Sequence, residues 1–391
     1  MLQRLYVDNF RTFQNFEWTP GSVALLIGRN GTGKSALFDV LHLVRELVRD
    51  ELNLAAVLPP TTCTRWDLRE EQRIELDVAG PASPRIERLS PVVAEPGGLF
   101  KYRLVVAHDR ARGDSRIVQE TLHCGETPLF TFLEGQVQLY KDSGQAGPSF
   151  AGNWRRSGLG TVVPGNSNRL LTWFKQWLGG LVVLRPNPAQ IGGRAASEDR
   201  SLEPNCNNFA SWYRTMWQER PQEVNQALVA LSDILDGFTG LSIRVDERRV
   251  GWLRATFMDP TDPNRRKRDL PLDFDELSDG QRALIVLYVV LHTQIDAERT
   301  VLLDEPDNYT SLDEIQPFLM EALYRVQDRQ GAQLFVISHN AQYIDQLAPN
   351  DGFIISREGG GPSRIRRFQS AEALAPSEIV VRGGLSQGEH E

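Results

Sequence analysis

Eight residues near the start of the chain, Gly28-Arg29-Asn30-Gly31-Thr32-Gly33-Lys34-Ser35, have the composition and spacing of a loop that cradles phosphates. The glycines let backbone N–H groups turn inward around a triphosphate, to which Asn30, Gly31, Thr32 and Gly33 would offer their amides. Lys34 would lie against the β- and γ-phosphates, and the Ser35 hydroxyl would ligate Mg²⁺. Far downstream, Asp304 and Glu305 end an apolar run, Thr300–Leu303. A carboxylate at that tip would hold the metal, and the next one would orient and activate water. His339, after Leu334–Ile337, would donate a hydrogen bond to a terminal phosphate. Ser278-Asp279-Gly280-Gln281 precedes a nearly all-apolar stretch, Ala283–His292, with Ser278 as helix cap and Gly280 leaving its N–H open to an anion. This second anion-binding helix start is hard to bring onto the same nucleotide within one chain. Two chains placed head to tail would share two nucleotides.

Positioning these groups takes strands and helices of a definite kind. Val23–Ile27 reads as a buried strand leading into the phosphate loop. After the loop, Leu37, Val40, Leu41, Val44, Leu47 and Val48 share one face of a helix. Thr300–Leu303 is expected beside Val23–Ile27 in a parallel sheet, with Leu334–Ile337 and Phe353–Ile355 as further strands. Between the loop and the distal motifs, alternation predicts strands at Arg73–Val78, Tyr102–His108, Ile117–Cys124 and Gln136–Tyr140, forming an antiparallel arm. The Gly/Pro-rich stretches Pro81–Gly98 and Ser143–Asn168 read as long surface loops, and Asn208 to about Leu235 as helical. Trp173, Trp177, Trp212, Tyr213 and Trp217 fall at helical spacing and read as core or partner-facing anchors rather than base-stacking platforms.

With 391 residues the chain is long enough for two domains or one large one, and its hydrophobic fraction, 41%, is that of a globular protein. A net charge of −8 gives the chain as a whole no attraction for nucleic acid; local basic clusters at Arg265–Arg268 and at Arg364, Arg366 and Arg367 remain as DNA candidates. Cys63, Cys124 and Cys206 are far apart and lack metal-ligand spacing, as expected of a reducing cytoplasm. Met1–Val7 reads as a strand rather than a secretory signal, and no apolar run is long enough to cross a bilayer.

Taken together, the motifs resemble the ATP-binding-cassette (ABC) superfamily: Walker A at Gly28–Ser35, signature at Leu277–Gln281, Walker B with a catalytic glutamate at Asp304–Glu305, and a switch histidine at His339. The opening Asn9-Phe10-Arg11 resembles the SMC, RecF and OLD branch. The resemblance implies an α/β fold, a P-loop NTPase of ABC ATPase type whose mixed sheet core carries an antiparallel β lobe and a helical lobe. On that pattern, residues 1–356 form the ATPase domain: an ATP-binding core at 1–50 and 270–356, a β arm at about 51–185 and a helical lobe at about 186–260. Residues 357–391 form a tail, partly disordered. The resemblance further implies that Glu305 is the general base, that Ser35 and Asp304 hold Mg²⁺, and that Ser278, Gly280 and Gln281 bind the ATP of a second subunit. Arg11 would touch the nucleotide, and Gln190, with Gln72 as second choice, would be the metal-contacting glutamine. Asp279 departs from the pattern, standing where a glycine is usual. A carboxylate there repels a γ-phosphate unless it points away.

The interval between Walker A and the signature lacks heptads, so no coiled-coil arm is expected, and too little chain follows His339 for an appended Toprim nuclease. The expected activity is ATP hydrolysis by a cytoplasmic homodimer clamped around two ATP, acting with DNA or a protein effector such as a nuclease, in DNA repair or anti-phage defence. A nucleotide-dependent scaffold with little turnover is the alternative, and a transporter-type cassette a weaker one.

Overall fold

In the computed structural model, which describes residues 1–81, 98–247, 249–261, 269–370 and 374–381, three sheets are stacked around two cores. The central sheet has six strands in the order Val182–Leu184, Thr300–Asp304, Gln333–Ile337, Val23–Ile27, Gly352–Ser356 and Arg364–Arg367. The first five run parallel and the last is antiparallel. Every residue of Val23–Ile27, Thr300–Asp304 and Gln333–Ile337 is buried, which explains why these strands read as unbroken apolar runs rather than alternations. Their side chains divide between two cores. Ala24, Leu26, Leu302 and Phe335 face the core that holds the Lys34–Arg49 helix. Val23, Leu25, Leu303 and Val336 face the core around the Asp279–Gln294 helix, which is buried nearly all round.

The first core is closed by an eight-stranded antiparallel sheet in the order Phe16–Trp18, Leu2–Asp8, Glu71–Ala79, Leu99–Asp109, Asp114–Cys124, Thr127–Leu133, Gln136–Tyr140 and Ala146–Ala151. All four strands expected in the arm are present. The Leu2–Asp8 strand lies in this sheet, not in the ATP-binding core to which the 1–50 boundary assigned it. A third sheet, built from Arg194–Ala195, Phe238–Val245, Gly251–Met258 and Asp269–Asp273, joins the second core. The 186–260 region is therefore mixed rather than helical. Its expected single helix is two, Phe209–Glu219 and Pro221–Ile234, because the Pro221 ring cannot continue the first helix. Trp177, Trp212 and Tyr213 are core residues as expected, whereas Trp217 is exposed.

Three further expectations need correction. Thr300–Asp304 is not beside the phosphate-loop strand: Gln333–Ile337 lies between them, pairing Asp304 with Ile337 and Ile337 with Leu26. The tail does not begin at 357, since Arg364–Arg367 closes the central sheet; residues 382–391 lie outside the described residues. The Ser143–Asn168 stretch is not a plain surface loop. It holds the Ala146–Ala151 strand, and its next segment is pinned by Glu120, a fully buried carboxylate. Glu120 accepts from Ser157 Oγ (2.6 Å), Gly158 N (2.9 Å), Leu159 N (3.3 Å) and Tyr102 OH (2.9 Å). Burial raises its pKa, and the four donors oppose the rise. Glu120→Leu would leave these buried donors without an acceptor, and is expected to cost at least about 3 kcal/mol in urea unfolding. Glu120→Gln, which keeps an acceptor oxygen, should cost clearly less; equal stability of Glu120→Leu and the native chain would show that the carboxylate does not hold this segment. The other expected loop, Pro81–Gly98, and the Arg265–Arg268 cluster fall largely or wholly outside the described residues.

Candidate functional site

Because five strands of the central sheet are parallel, their C-terminal ends share one edge, where ligands bind in open α/β sheets. In sheet order that edge presents Arg185, then Asp304 and Glu305, then Ser338 and His339, then the phosphate loop, then Arg357. The carboxylates stand two strand spacings from the loop strand, about 10 Å, which leaves the gap a polyphosphate needs.

The loop itself is closed on its own carbonyls. Lys34 Nζ donates to Gly28 O (2.6 Å) and Arg29 O (3.1 Å), and Thr32 Oγ1 donates to Arg29 O (2.9 Å). Burial lowers the Lys34 pKa, while the charges of Glu305 and Asp304 work against that. Gly33 has a φ of +102°, and a Cβ there would stand 2.9 Å from Thr12 Oγ1. Behind the loop, fully buried Ser363 donates to Thr32 O (2.6 Å) and bonds Thr12 Oγ1 (2.7 Å). The sequence carried no signal for Ser363, which lies in the stretch read as tail. Asn30 and Gly31 are exposed, and with Thr32, Ser356 and Arg357 they line a cavity of about 400 Å³.

Glu305 sits in the left-handed region at φ +52°, as Glu51, Glu134 and Glu298 also do. Its N–H donates to Ile337 O (2.9 Å), which holds the turn. Its carboxylate accepts from Asn308 Nδ2 (2.7 Å) and lies 3.8 Å from His339 Nε2. Burial lowers the His339 pKa from 6.5 and Lys34 adds to the shift, so the ring is neutral at pH 7 despite the acids around it. Asp307, two residues on, accepts from Ser338 Oγ (3.1 Å) and has a raised pKa from burial.

Asp304 is only 3% exposed and already holds a cation. Arg185 places Nε and Nη2 each 2.6 Å from Asp304 Oδ2. Arg185 Nη2 also lies 3.6 Å from Asp39, on the phosphate-loop helix, and Asp39 takes the Arg11 guanidinium. A chain Arg11–Asp39–Arg185–Asp304 therefore crosses the site. Arg11 touches Asp39 and stacks on Phe10, not on the loop. Gln190, exposed at the end of the Pro188–Gln190 turn, accepts from Asn205 Nδ2 (2.6 Å), and among the described residues no hydrogen bond joins it to Asp304. Gln72 is buried on Asn9 O in the antiparallel sheet. Sequence reading passed over Arg185, although a charged residue ending the apolar run Val182–Leu184 stands at a strand tip just as Asp304 does.

The second helix start forms as its residue types predict. Ser278 caps the Asp279–Gln294 helix by accepting from Gln281 N (3.2 Å), and Gln281 Oε1 accepts from Ser278 N (3.0 Å). Asp279 is drawn off by Arg282 at 2.5 Å, which balances its charge and takes no part in the cap. Gly280 approaches the Tyr309 carbonyl so closely that a Cβ would be 2.8 Å from it. Among the described residues, no hydrogen bond joins Ser278, Gly280 or Gln281 to the phosphate loop of their own chain. Asp313 lies in the first turn of the Leu312–Asp328 helix. Of the Arg364–Arg367 cluster, Arg364 is engaged by Gln14 O, and Arg367 by Asn350 O and the Phe353 ring.

Residues 196–345 match the family described as "AAA domain, putative AbiEii toxin, Type IV TA system". No curated protein matches the chain. Among solved structures, an SMC head bound to the C-winged helix domain of ScpA is 13% identical, covers 93% of this chain and 96% of its own, and superposes with a TM-score of 0.54. The SMC head domain from Thermotoga maritima is 14% identical, over 94% of this chain and 99% of its own, at 0.43. An SMC head from Pyrococcus furiosus with an extended coiled coil, bound to the C-terminal domain of ScpA, is 12% identical, over 93% and 95%, at 0.49. The first likeness shows the fold alone: the chain is folded like an SMC head, the architecture its motifs led one to expect. Among the described residues, no helix is long and apolar enough to cross a membrane.

Proposed function

We propose that the chain is an ATP-hydrolysing switch that closes as a homodimer around two nucleotides. The observation that carries this reading is the edge of the central sheet, where Asp304, Glu305 and His339 stand at strand ends beside the loop and helix start that carry Lys34. The loop amides of Asn30–Gly33 and Lys34 take the phosphates, and the adjoining cavity of about 400 Å³ has room for a nucleoside. The hard oxygen donors Ser35 and Asp304 suit Mg²⁺, and the buried Asp304 carboxylate already draws a cation. Bound there, the metal would neutralise charge on the phosphates. Glu305 takes the proton of the attacking water, and His339, neutral at pH 7, donates to the terminal phosphate. Ser278, Gly280 and Gln281 serve the partner's nucleotide; Arg11 joins the site once freed from Asp39, and Gln190 once its turn leaves Asn205. The ATPase domain is taken as residues 1–356 with the Arg364–Arg367 strand added.

The toxin–antitoxin family matched by residues 196–345 favours a cytoplasmic defence role with a protein effector over DNA repair. ScpA on an SMC head is a precedent for a protein partner on this fold. A scaffold with little turnover is the second reading, favoured by the Asp304 carboxylate already being held by Arg185. Light scattering with Mg–ATP, alongside phosphate release, separates the outcomes. The native chain is expected to dimerise and turn over, and Lys34→Ala to do neither. A native chain that stays monomeric in Mg–ATP would sink the clamp, and a dimer without turnover selects the scaffold.

A further inference from the structure

The central strands also begin at a cavity, on the edge opposite the phosphate loop. Arg45 and Arg49 from the last turns of the Lys34–Arg49 helix, Arg200, Ser201, and Arg299 before the Thr300–Asp304 strand line a space of about 100 Å³. Among the described residues, no Asp or Glu lines it. An adjoining space of about 600 Å³ shares Arg45, Arg49, Arg200 and Ser201 and adds His42, Asn208 and the carboxylates Glu46, Asp50, Asp199 and Glu203, acceptors suited to the hydroxyls of a polar body rather than to a phosphate.

The arginines are poorly matched. Arg49 is paired with Asp50 (2.7 Å), and Arg200 lies 3.5 Å from Glu219. Among the described residues, neither Arg45 nor Arg299 has a carboxylate within 4 Å; Arg299 donates to the neutral Gln294 amide at 2.5 Å. Arg45 is the strongest case. It is only 4% exposed, and among the described residues its Nε has no hydrogen-bond partner and its side chain bonds only Ser201 Oγ. Arg49 Nη1 donates to that same oxygen (2.9 Å), so two cations share one neutral acceptor. They stand four residues apart on a helix, where like charges repel. Burial lowers the Arg45 pKa to about 10, Arg49 adds to this, and the nearby Asp50 and Glu46 compensate in part. The guanidinium thus stays charged at neutral pH. A buried charge with no direct ion pair is among the costlier features a fold retains. An oxyanion would resolve it, because guanidinium forks match phosphate geometry.

We propose that this cavity is a second anion site, which takes the phosphate group of a small phosphorylated molecule whose polar body occupies the larger space. It is separate from the nucleotide site: along the Lys34–Arg49 helix, Arg45 and Arg49 lie about 17 and 23 Å beyond Lys34. The test is calorimetric titration of inorganic phosphate and of ribose 5-phosphate into full-length Lys34→Ala protein, whose phosphate loop is disabled. Each ligand is expected to bind once per chain, ribose 5-phosphate more tightly. Adding Arg299→Gln should weaken both by about tenfold or more, the worth of one charge-assisted contact. Arg45→Met should weaken them at least as much; Arg299→Gln carries the test if Arg45→Met does not fold. No binding, or binding unchanged by Arg299→Gln, overturns the site. Equal affinity for the two ligands overturns the placing of a molecular body in the larger cavity.

Discussion

Glu305→Gln protein is expected to release phosphate about 10²–10⁴-fold more slowly than the native chain, the usual contribution of a positioned general base. That corresponds to about 3–5 kcal/mol of barrier. The change keeps the volume of the side chain and the backbone turn. The amide oxygen can still accept from Asn308 Nδ2, which now holds the carboxylate at 2.7 Å. What is lost is the capacity to take a proton from water. Binding of ATP should be unaffected, because the groups proposed to grip phosphate lie on the loop, one strand beyond His339. With binding intact and hydrolysis slowed, the ATP-bound dimer should accumulate and be visible by light scattering. Turnover within a few-fold of native would assign the base elsewhere. Asp307 would then be the next carboxylate to test, since burial already raises its pKa.

The features legible in the sequence were those that short-range chemistry sets. A loop of glycines before Lys34 works through its own backbone, and the Ser278–Gln281 capping box needs four residues. Unbroken apolar runs marked the buried parallel strands, and alternation marked the antiparallel ones. What could not be read depends on residues far apart in the chain. Arg185 meets Asp304 across 119 positions, and Ser363 meets Thr32 across 331. Strand order was misjudged for the same reason: nothing within Thr300–Asp304 says that Gln333–Ile337 lies between it and the loop. The Ser143–Asn168 stretch looked like a loop by its Gly and Pro content, which carries no trace of the buried carboxylate that pins part of it.

The Arg185–Asp304 pair leads to the second large effect: Arg185→Gln should bind Mg–ATP about 5–30-fold more tightly than the native chain, for a pair worth about 1–2 kcal/mol. The size follows from its setting. Asp304 is buried, which strengthens the contact, but the Arg185 side chain is 52% exposed, so the pair falls between a weak surface ion pair and a fully buried one. Both close nitrogens fall on Asp304 Oδ2, so a metal that uses this carboxylate must compete with the guanidinium or displace it. Asp39, 3.6 Å from Nη2, is a ready alternative partner for the displaced head. Without Arg185 that competition disappears, and the nucleotide-free protein is left with a buried carboxylate lacking its counter-charge. The variant should therefore melt earlier than native when empty and show a larger thermal shift on adding Mg–ATP. ATP affinity measured in EDTA should hardly change, since the loop is untouched. This separates competition at Asp304 from any direct contact between Arg185 and phosphate. If Arg185→Gln binds Mg–ATP no more tightly than native, the guanidinium does not compete for Asp304. A loss of affinity in EDTA as well would make Arg185 a phosphate ligand.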